Sequence, residues 1–370
     1  MLSVRNNVDA LLLFFVLALL VAGLGIFSSA SLGLLARTNI SVFSIAVNHI
    51  VLGIFFGSLI AYTASRVHYR VWKKWAPHLF IASAFLTALV FIPGLGLESG
   101  GGKRWLLFGP ISFQPAETLK IGTILLLAAY FSKYRARLDD WRYGLGAFLA
   151  ILAVPSLILS MQPDTGTLVV ILASGTAMFF AAGARWKHIA TIILIGAIGL
   201  AVLIFAFDRD YILDRFATFL NPFHDPQGAS YQVRQSLIAI GSGEVFGRGF
   251  GQSIQKFSYL PEPMSDSIFA VAAEEFGFVG SIAIVGLFIG LASRGFSIAA
   301  RAPDYFGAIL ATGIVTYIVG QSFVNIAAML NLAPLTGIPL IFISQGGTAM
   351  LVALGSIGIL LNISRYTKAK

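Results

Sequence analysis

The chain has 370 residues, 57% of them hydrophobic and only 11% charged, with a mean hydropathy of +0.86. Soluble domains run roughly 45–50% apolar and about 25% charged, so a water-soluble fold is excluded, and the lack of cysteine removes disulfides, thiolate catalysis and Cys-ligated zinc. The formal charge of +9 raises nucleic acid as a partner, but its distribution assigns it to membrane topology instead.

A helix needs about 20 mainly apolar residues to cross the hydrocarbon core. Ten segments qualify: 10–36, 45–64, 78–94, 116–131, 144–160, 166–183, 187–207, 267–292, 305–330 and 337–363. The expected fold is an all-α polytopic membrane bundle, one integral domain over 1–370. Ser28-Ser29-Ala30 in the first segment looks like a signal-peptide cleavage site, but Asp9 and the overlong apolar run favour a retained span. With the N-terminus inside, most of the Lys and Arg fall on one side of the bundle. They are Arg5, Arg66 to Lys74, Lys133 to Arg142, Arg185, Lys187, Arg294, Arg301 and Arg365 to Lys370. The positive-inside rule then makes both termini cytoplasmic in the plasma membrane. Most acids fall on the opposite face, so chemistry that needs carboxylates is expected to be extracytoplasmic, and nucleic acid is not an expected partner.

Two outer segments carry unusual residues. The first, 94–115, is rich in glycine and contains Lys103-Arg104-Trp105, with Gln114 and Glu117 at its end. Trp105 and its cations read either as an interfacial belt with snorkelling side chains or as a cradle for a phosphate or a sugar face. The second, 208–266, is too long for a plain connection. Within it, 231–240 has the pattern of an amphipathic helix lying on the membrane. The stretch 241–251 has five glycines but no preceding strand and no Walker lysine, so it is a weak phosphate-loop match.

The loop ends on Ser265-Asp266-Ser267, followed by Glu274-Glu275. Asp266 reads as a helix N-cap or as a functional acid. Ionisable residues inside a span are costly and point to function. Glu274 and Glu275 are about 100° apart on a helix, so at least one is expected to face inward, paired with Lys120 or an outer-segment Arg; a proton relay is the competing reading. No pair of the five histidines has zinc spacing. An oxygen-ligated Mg2+ or Mn2+ bridging a pyrophosphate stays open, since it needs only one or two carboxylates. Nothing calls for an organic cofactor.

From about the second span to the tenth, six motifs in order resemble the SEDS family, the polytopic peptidoglycan glycosyltransferases typified by FtsW and RodA. They are Lys103-Arg104-Trp105-Leu106; Gln114-Pro115-Ala116-Glu117 with Lys120; Gln162-Pro163-Asp164 with Gly166-Thr167; Tyr231-Gln232 with Gln235-Ser236 and Ile240 to Gly243; Leu260-Pro261-Glu262 to Asp266 with Glu274-Glu275 and Gly277; and Gly337 to Leu340 with Ile343 to Gly347. Met264-Ser265-Asp266-Ser267 stands where the family has His-Thr-Asp-Phe, so any role of that histidine is missing here. Ser253 to Lys256 and Tyr259 to Glu262 look more like FtsW than RodA. The resemblance implies polymerisation of lipid II into glycan strands by inverting glycosyl transfer, with undecaprenyl pyrophosphate leaving. It implies Asp266 as the general base and Lys103, Arg104, Arg248 and Lys256 as cations for the leaving group. Trp105, Gln114, Glu117, Lys120, Gln162, Asp164, Glu262, Glu274 and Glu275 are the other expected substrate-side residues. A class B penicillin-binding protein is the implied partner. A lipid II flippase using Glu117, Lys120, Glu274 and Glu275 as a polar path is the alternative, though no inverted repeat is visible in the sequence; a non-catalytic scaffold is a third reading.

Overall fold

The computed structural model describes residues 8–37, 42–99, 102–108, 111–206, 210–223, 225, 228 and 230–367. Arg5, Asp208, His224, Lys368 and Lys370 lie outside the described residues.

The chain opens with α1 (Ala10–Arg37), then α2 (Val42–Val47) and α3 (Gly57–Arg66) in one rod, joined by a π-helical stretch at Asn48–Phe56. Helix α4 (Arg70–Ala88) leads into a three-stranded antiparallel meander, β1 (Gly96–Ser99), β2 (Gly102–Phe108) and β3 (Ile111–Phe113). Next come α5 (Pro115–Lys133), α6 (Ala147–Met161), α7 (Thr165–Ala181), α8 (Trp186–Ala206), α9 (Asp210–Leu220), α10 (Tyr231–Ser242) and the short α11 (Gln255–Ser258). The last three are α12 (Ile268–Ala300), α13 (Tyr305–Met329) and α14 (Gly347–Arg365). Seven described helical segments are long and apolar enough to cross a membrane. The chain is a multi-pass membrane protein.

Lipid, rather than water, is the solvent that explains its surface. Along α1, Phe14, Leu17, Val21 and Leu24 are exposed on one face while Leu12, Val16 and Leu19 are buried on the other. Contiguous apolar faces of that size are not tolerated in water. Helices α13, α14, α5 and α7 form the middle of the bundle, where Tyr317, Phe131 and Phe179 are fully buried.

Three sequence expectations change. The span expected over 337–363 is helical only from Gly347, because 330–346 runs as a non-helical segment between α13 and α14. The helix expected to lie on the membrane, α10, instead packs on α12 and α13 and buries Val233, Gln235, Ser236 and Ala239. The all-α expectation gains a small sheet: Leu106 pairs with both Gly96 and Phe113, so β2 is the central strand of the meander.

Candidate active site

The 330–346 segment is the hub of the site, because the bundle's buried polar side chains converge on its backbone. Gln321 and Asn325 are one helical turn apart on α13 and share a face. Gln321 Nε2 donates to the Pro339 carbonyl at 3.0 Å, and Asn325 Nδ2 to the Ile338 carbonyl at 2.8 Å. The same Asn325 amide also donates to the Asp266 carbonyl at 2.8 Å. Ser344 Oγ donates to the Ser265 carbonyl at 2.6 Å, and the Gln345 N–H to the Met264 carbonyl at 2.7 Å. The backbone of residues 264–266 is thus held from two directions, by Asn325 on α13 and by Ser344 and Gln345 of the hub. Glu262 (φ 45°) and Phe342 (φ 69°) adopt left-handed conformations beside it, a strain non-glycine residues tolerate where the surroundings over-determine them.

The Asp266 side chain is 9% exposed. Gln232 Nε2, on α10, donates to its Oδ2 at 3.1 Å and to Ser267 Oγ at 3.0 Å. Among the described residues, Oδ1 is buried without a hydrogen-bond partner. The N-cap position of α12 is Ser267, and no side chain caps that helix. Burial pushes the Asp266 carboxyl up from 3.8 to about 6; the Gln232 bond opposes the rise and the neighbouring Glu262 carboxylate adds to it. A carboxylate with one anchored oxygen, one unpaired oxygen and a pKa near neutrality is suited to accept a proton.

Glu117 and Lys120 face each other on α5 at 2.8 Å, both 1% exposed. Lys120 Nζ also donates to Gln321 Oε1 at 2.6 Å, which links the pair to the hub. Gln114 Nε2 donates to Asp164 Oδ2 at 3.3 Å, and Asp164 caps α7 by accepting from the Thr167 N–H at 3.1 Å. Arg104, on β2, donates to the carbonyls of Gln162 and Pro163 at 3.1 and 2.6 Å. Gln162 donates to the Thr87 carbonyl at 2.8 Å. At the start of α7, a Cβ on Gly166 would fall 2.6 Å from both Ile338 Cγ2 and the Thr336 carbonyl, so the helix meets the hub with no room to spare.

The four expected cations divide. Lys103 and Arg248 are exposed, and Trp105 is half-buried. Arg104 is engaged by the two carbonyls. Lys256 is fully buried, with Nζ 2.6 Å from Glu275 Oε1. Glu274 accepts from the Ile254 N–H at 3.0 Å and lies 3.6 Å from Arg248 Nε. Both glutamates therefore face inward, and their partners come from the 248–256 loop and, for Glu275, also from Ser29 on α1, rather than from Lys120. The glycine-rich stretch is occupied as well: its Arg248 and Gly249 N–H groups donate to the Glu274 and Glu275 carbonyls.

Gln232 and Ser344, which the sequence marks only as motif members, and Asn325 and Arg215, which it does not mark, also make polar contacts in this region. Arg215 Nη1 lies 3.4 Å from Thr165 Oγ1. The available signal was a pair of uncharged amides, Gln321 and Asn325, inside an apolar span, where a buried amide needs a partner. Among the described residues no group of three or more His, Asp or Glu forms a metal site.

Comparison with known proteins agrees with this architecture. A family model of the FtsW, RodA and SpoVE proteins, described as "Cell cycle protein", matches residues 10–369. The chain belongs to that family. It is 38% identical to stage V sporulation protein E of Bacillus subtilis (strain 168), over 98% of this chain and 99% of that protein. It is 35% identical to the probable peptidoglycan glycosyltransferase FtsW of Coxiella burnetii, over 99% of this chain and 98% of that one. Among solved structures, a chain from a peptidoglycan synthase complex that coordinates polymerization and crosslinking superposes with a TM-score of 0.78 at 26% identity, covering 97% of this chain and 98% of that chain. The rod shape determining protein RodA of Thermus thermophilus gives 0.71 at 26% identity, covering 99% of both chains.

Proposed function

We propose that this chain is a peptidoglycan glycosyltransferase that polymerises lipid II, with Asp266 as general base. The carrying observation is the Asp266 carboxylate: Oδ2 is held by Gln232, and Oδ1 is buried without a partner among the described residues. The acceptor sugar's 4-hydroxyl loses its proton to Oδ1 as its oxygen attacks the anomeric carbon of the donor. The glycosidic bond forms, the bond to the pyrophosphate oxygen breaks, and undecaprenyl pyrophosphate leaves with the electron pair. One base on the acceptor side suits inversion, which needs no glycosyl-enzyme intermediate.

Lys103 and Arg248 are the cations open to the departing pyrophosphate, whose developing charge requires fixed positive partners. Arg104 acts indirectly, by pinning the sheet to the start of α7. Glu262, the exposed carboxylate beside Asp266, would be the residue to hold Mg2+ or Mn2+ at this site. Such a cation would neutralise charge on the leaving group.

Two apolar grooves suit polyprenyl tails that stay in the bilayer. One, of about 330 Å³, is lined by Ile60, Leu79, Leu125, Leu351 and Ile359. The other, of about 320 Å³, is walled by α10, α12 and α13 through Ile240, Phe269, Phe278 and Ile326. Ten spanning helices, cytoplasmic termini and an extracytoplasmic site complete the reading, with segments 94–115 and 208–266 on the substrate side. A class B penicillin-binding protein is the partner this reading calls for, since glycan strands must be cross-linked.

The test is purified protein and Asp266→Ala, each supplied with lipid II, a divalent cation and a partner transpeptidase, with glycan chains resolved on gels. Polymer from the wild type and none from the variant is expected. Undiminished polymer from Asp266→Ala overturns the base assignment. Translocation of lipid II across vesicles without polymer replaces the enzyme with a flippase.

A further inference from the structure

Helix α12 is two helices in sequence. Gly277 has φ 66° and ψ −163°, a conformation that breaks the hydrogen-bond ladder. The short first half, 268–276, carries Asp266 just before its N-terminus. The break leaves N–H and carbonyl groups without helical partners, and the loop at 244–249 supplies them. The Phe278 and Val279 N–H groups donate to the Glu244 and Val245 carbonyls at 2.9 and 3.1 Å, while the Glu274 and Glu275 carbonyls accept from the Arg248 and Gly249 N–H groups at 3.0 Å. A Cβ on Gly247 or on Gly277 would collide with the backbone of the other segment.

Side chains then fasten this half-helix to α1. Ser253 Oγ donates to Glu274 Oε2 at 2.5 Å. Lys256 Nζ donates to Glu275 Oε1 and to Ser29 Oγ at 2.6 and 2.7 Å, and Ser29 Oγ donates to Glu275 Oε1 at 2.6 Å. Around this cluster α1 presses closely on the two segments that flank Asp266. A Cβ on Gly33 would lie 2.4 Å from the Lys256 carbonyl, and one on Gly23 would lie 2.1 Å from the carbonyl of Phe342, in the hub that holds Ser265.

We propose that Ser29, Lys256 and Glu275 are positioning residues, through which α1 sets the pose of the half-helix that presents Asp266. The three side chains are fully or almost fully buried, so they act without touching substrate. The inference rests on Asp266 being the base, and it assigns α1 a part in the reaction beyond crossing the membrane.

The experiment compares Lys256→Met, Glu275→Gln, Ser29→Ala, Lys256→Arg and the double replacement Lys256→Met/Glu275→Met in full-length protein in nanodiscs. Removing one member of a buried pair strands the other, whereas replacing both with apolar groups is often neutral for stability. The expected pattern is a Tm restored to the wild-type value in the double replacement, but with kcat for lipid II polymerisation still at least tenfold down and KM within twofold. Recovery of kcat together with Tm means the cluster is merely structural and overturns the proposal. A raised KM in Lys256→Met with unchanged kcat means that Lys256 meets the substrate, and overturns it too. A second readout needs no catalysis: the rise in Tm produced by Asp266→Asn is measured in the wild-type and double-replaced backgrounds. Neighbours couple in such a cycle, while independent sites add. A rise that shrinks by half or more shows the coupling whatever the role of Asp266; an unchanged rise refutes it.

Discussion

Replacing Asp266 with asparagine should make the protein more stable while abolishing polymerisation. In the native chain the carboxyl is pushed from 3.8 to about 6, chiefly by burial. At about 1.4 kcal/mol per pH unit, the folded state carries about 3 kcal/mol of penalty for the ionised group. Asparagine keeps an oxygen for Gln232 and places a neutral amide where Oδ1 had no partner. Above about pH 6 the carboxyl is ionised in both folded and unfolded chains, and the whole penalty is present. Between about 6 and 3.8 the folded chain takes up a proton while the unfolded chain stays ionised, so the penalty fades as pH falls. Thermal unfolding in nanodiscs at pH 7.5, 6 and 4.5 reads this out. The variant should melt higher at pH 7.5, with the gap closing towards pH 4.5. Equal melting at pH 7.5, or a gap unchanged at pH 4.5, would refute the reasoning. Loss of a general base should meanwhile cost about 10²–10⁴-fold in rate.

The wild-type rate should rise with pH through a midpoint near 6, the value to which burial moves Asp266; a flat profile from pH 5 to 7.5 in kcat/KM would count against that base. Gly166→Ala puts a methyl 2.6 Å from Ile338 and Thr336 and should lower stability by about 1–3 kcal/mol, visible as a lower Tm and a slower enzyme. Glu117→Gln alone leaves Lys120 charged in a site 1% exposed and should cost about 3–5 kcal/mol. Glu117→Gln with Lys120→Met should recover most of that stability, measured in the same melts.

The bundle was legible because period and length alone mark apolar helices, and α1, α12 and α13 fall close to the segments read from hydropathy. The hub was not: Gly337 to Leu340 is apolar enough to be counted into the last span, and only the backbone reveals that Pro339, Ile338 and Ser344 are there to accept and donate bonds. The meander was hidden for a related reason, since Gly96 to Phe113 is rich in turn residues and each strand is short. Within the site, charge was readable and its use was not. Lys256 and Arg248 look alike in sequence, yet one is sealed against Glu275 and the other is exposed. Partnership of that kind depends on which segments the fold brings together, here α1 and a loop more than two hundred residues away. Asn325, a neutral amide among apolar neighbours, went unremarked although it touches the Asp266 backbone directly.

The broken α12 also fixes a depth. At 1.5 Å per residue, the stretch 278–300 rises about 35 Å, enough by itself to cross a hydrocarbon core of about 30 Å. The half-helix before Gly277 is therefore surplus to the crossing, which on the proposed function would set it at headgroup level, with Phe246, Phe250 and Phe278 exposed around the break. A lipid-linked sugar carries its pyrophosphate at that same level. The break would let the enzyme meet the phosphates where the lipid already holds them, without lifting a long prenyl chain out of the membrane.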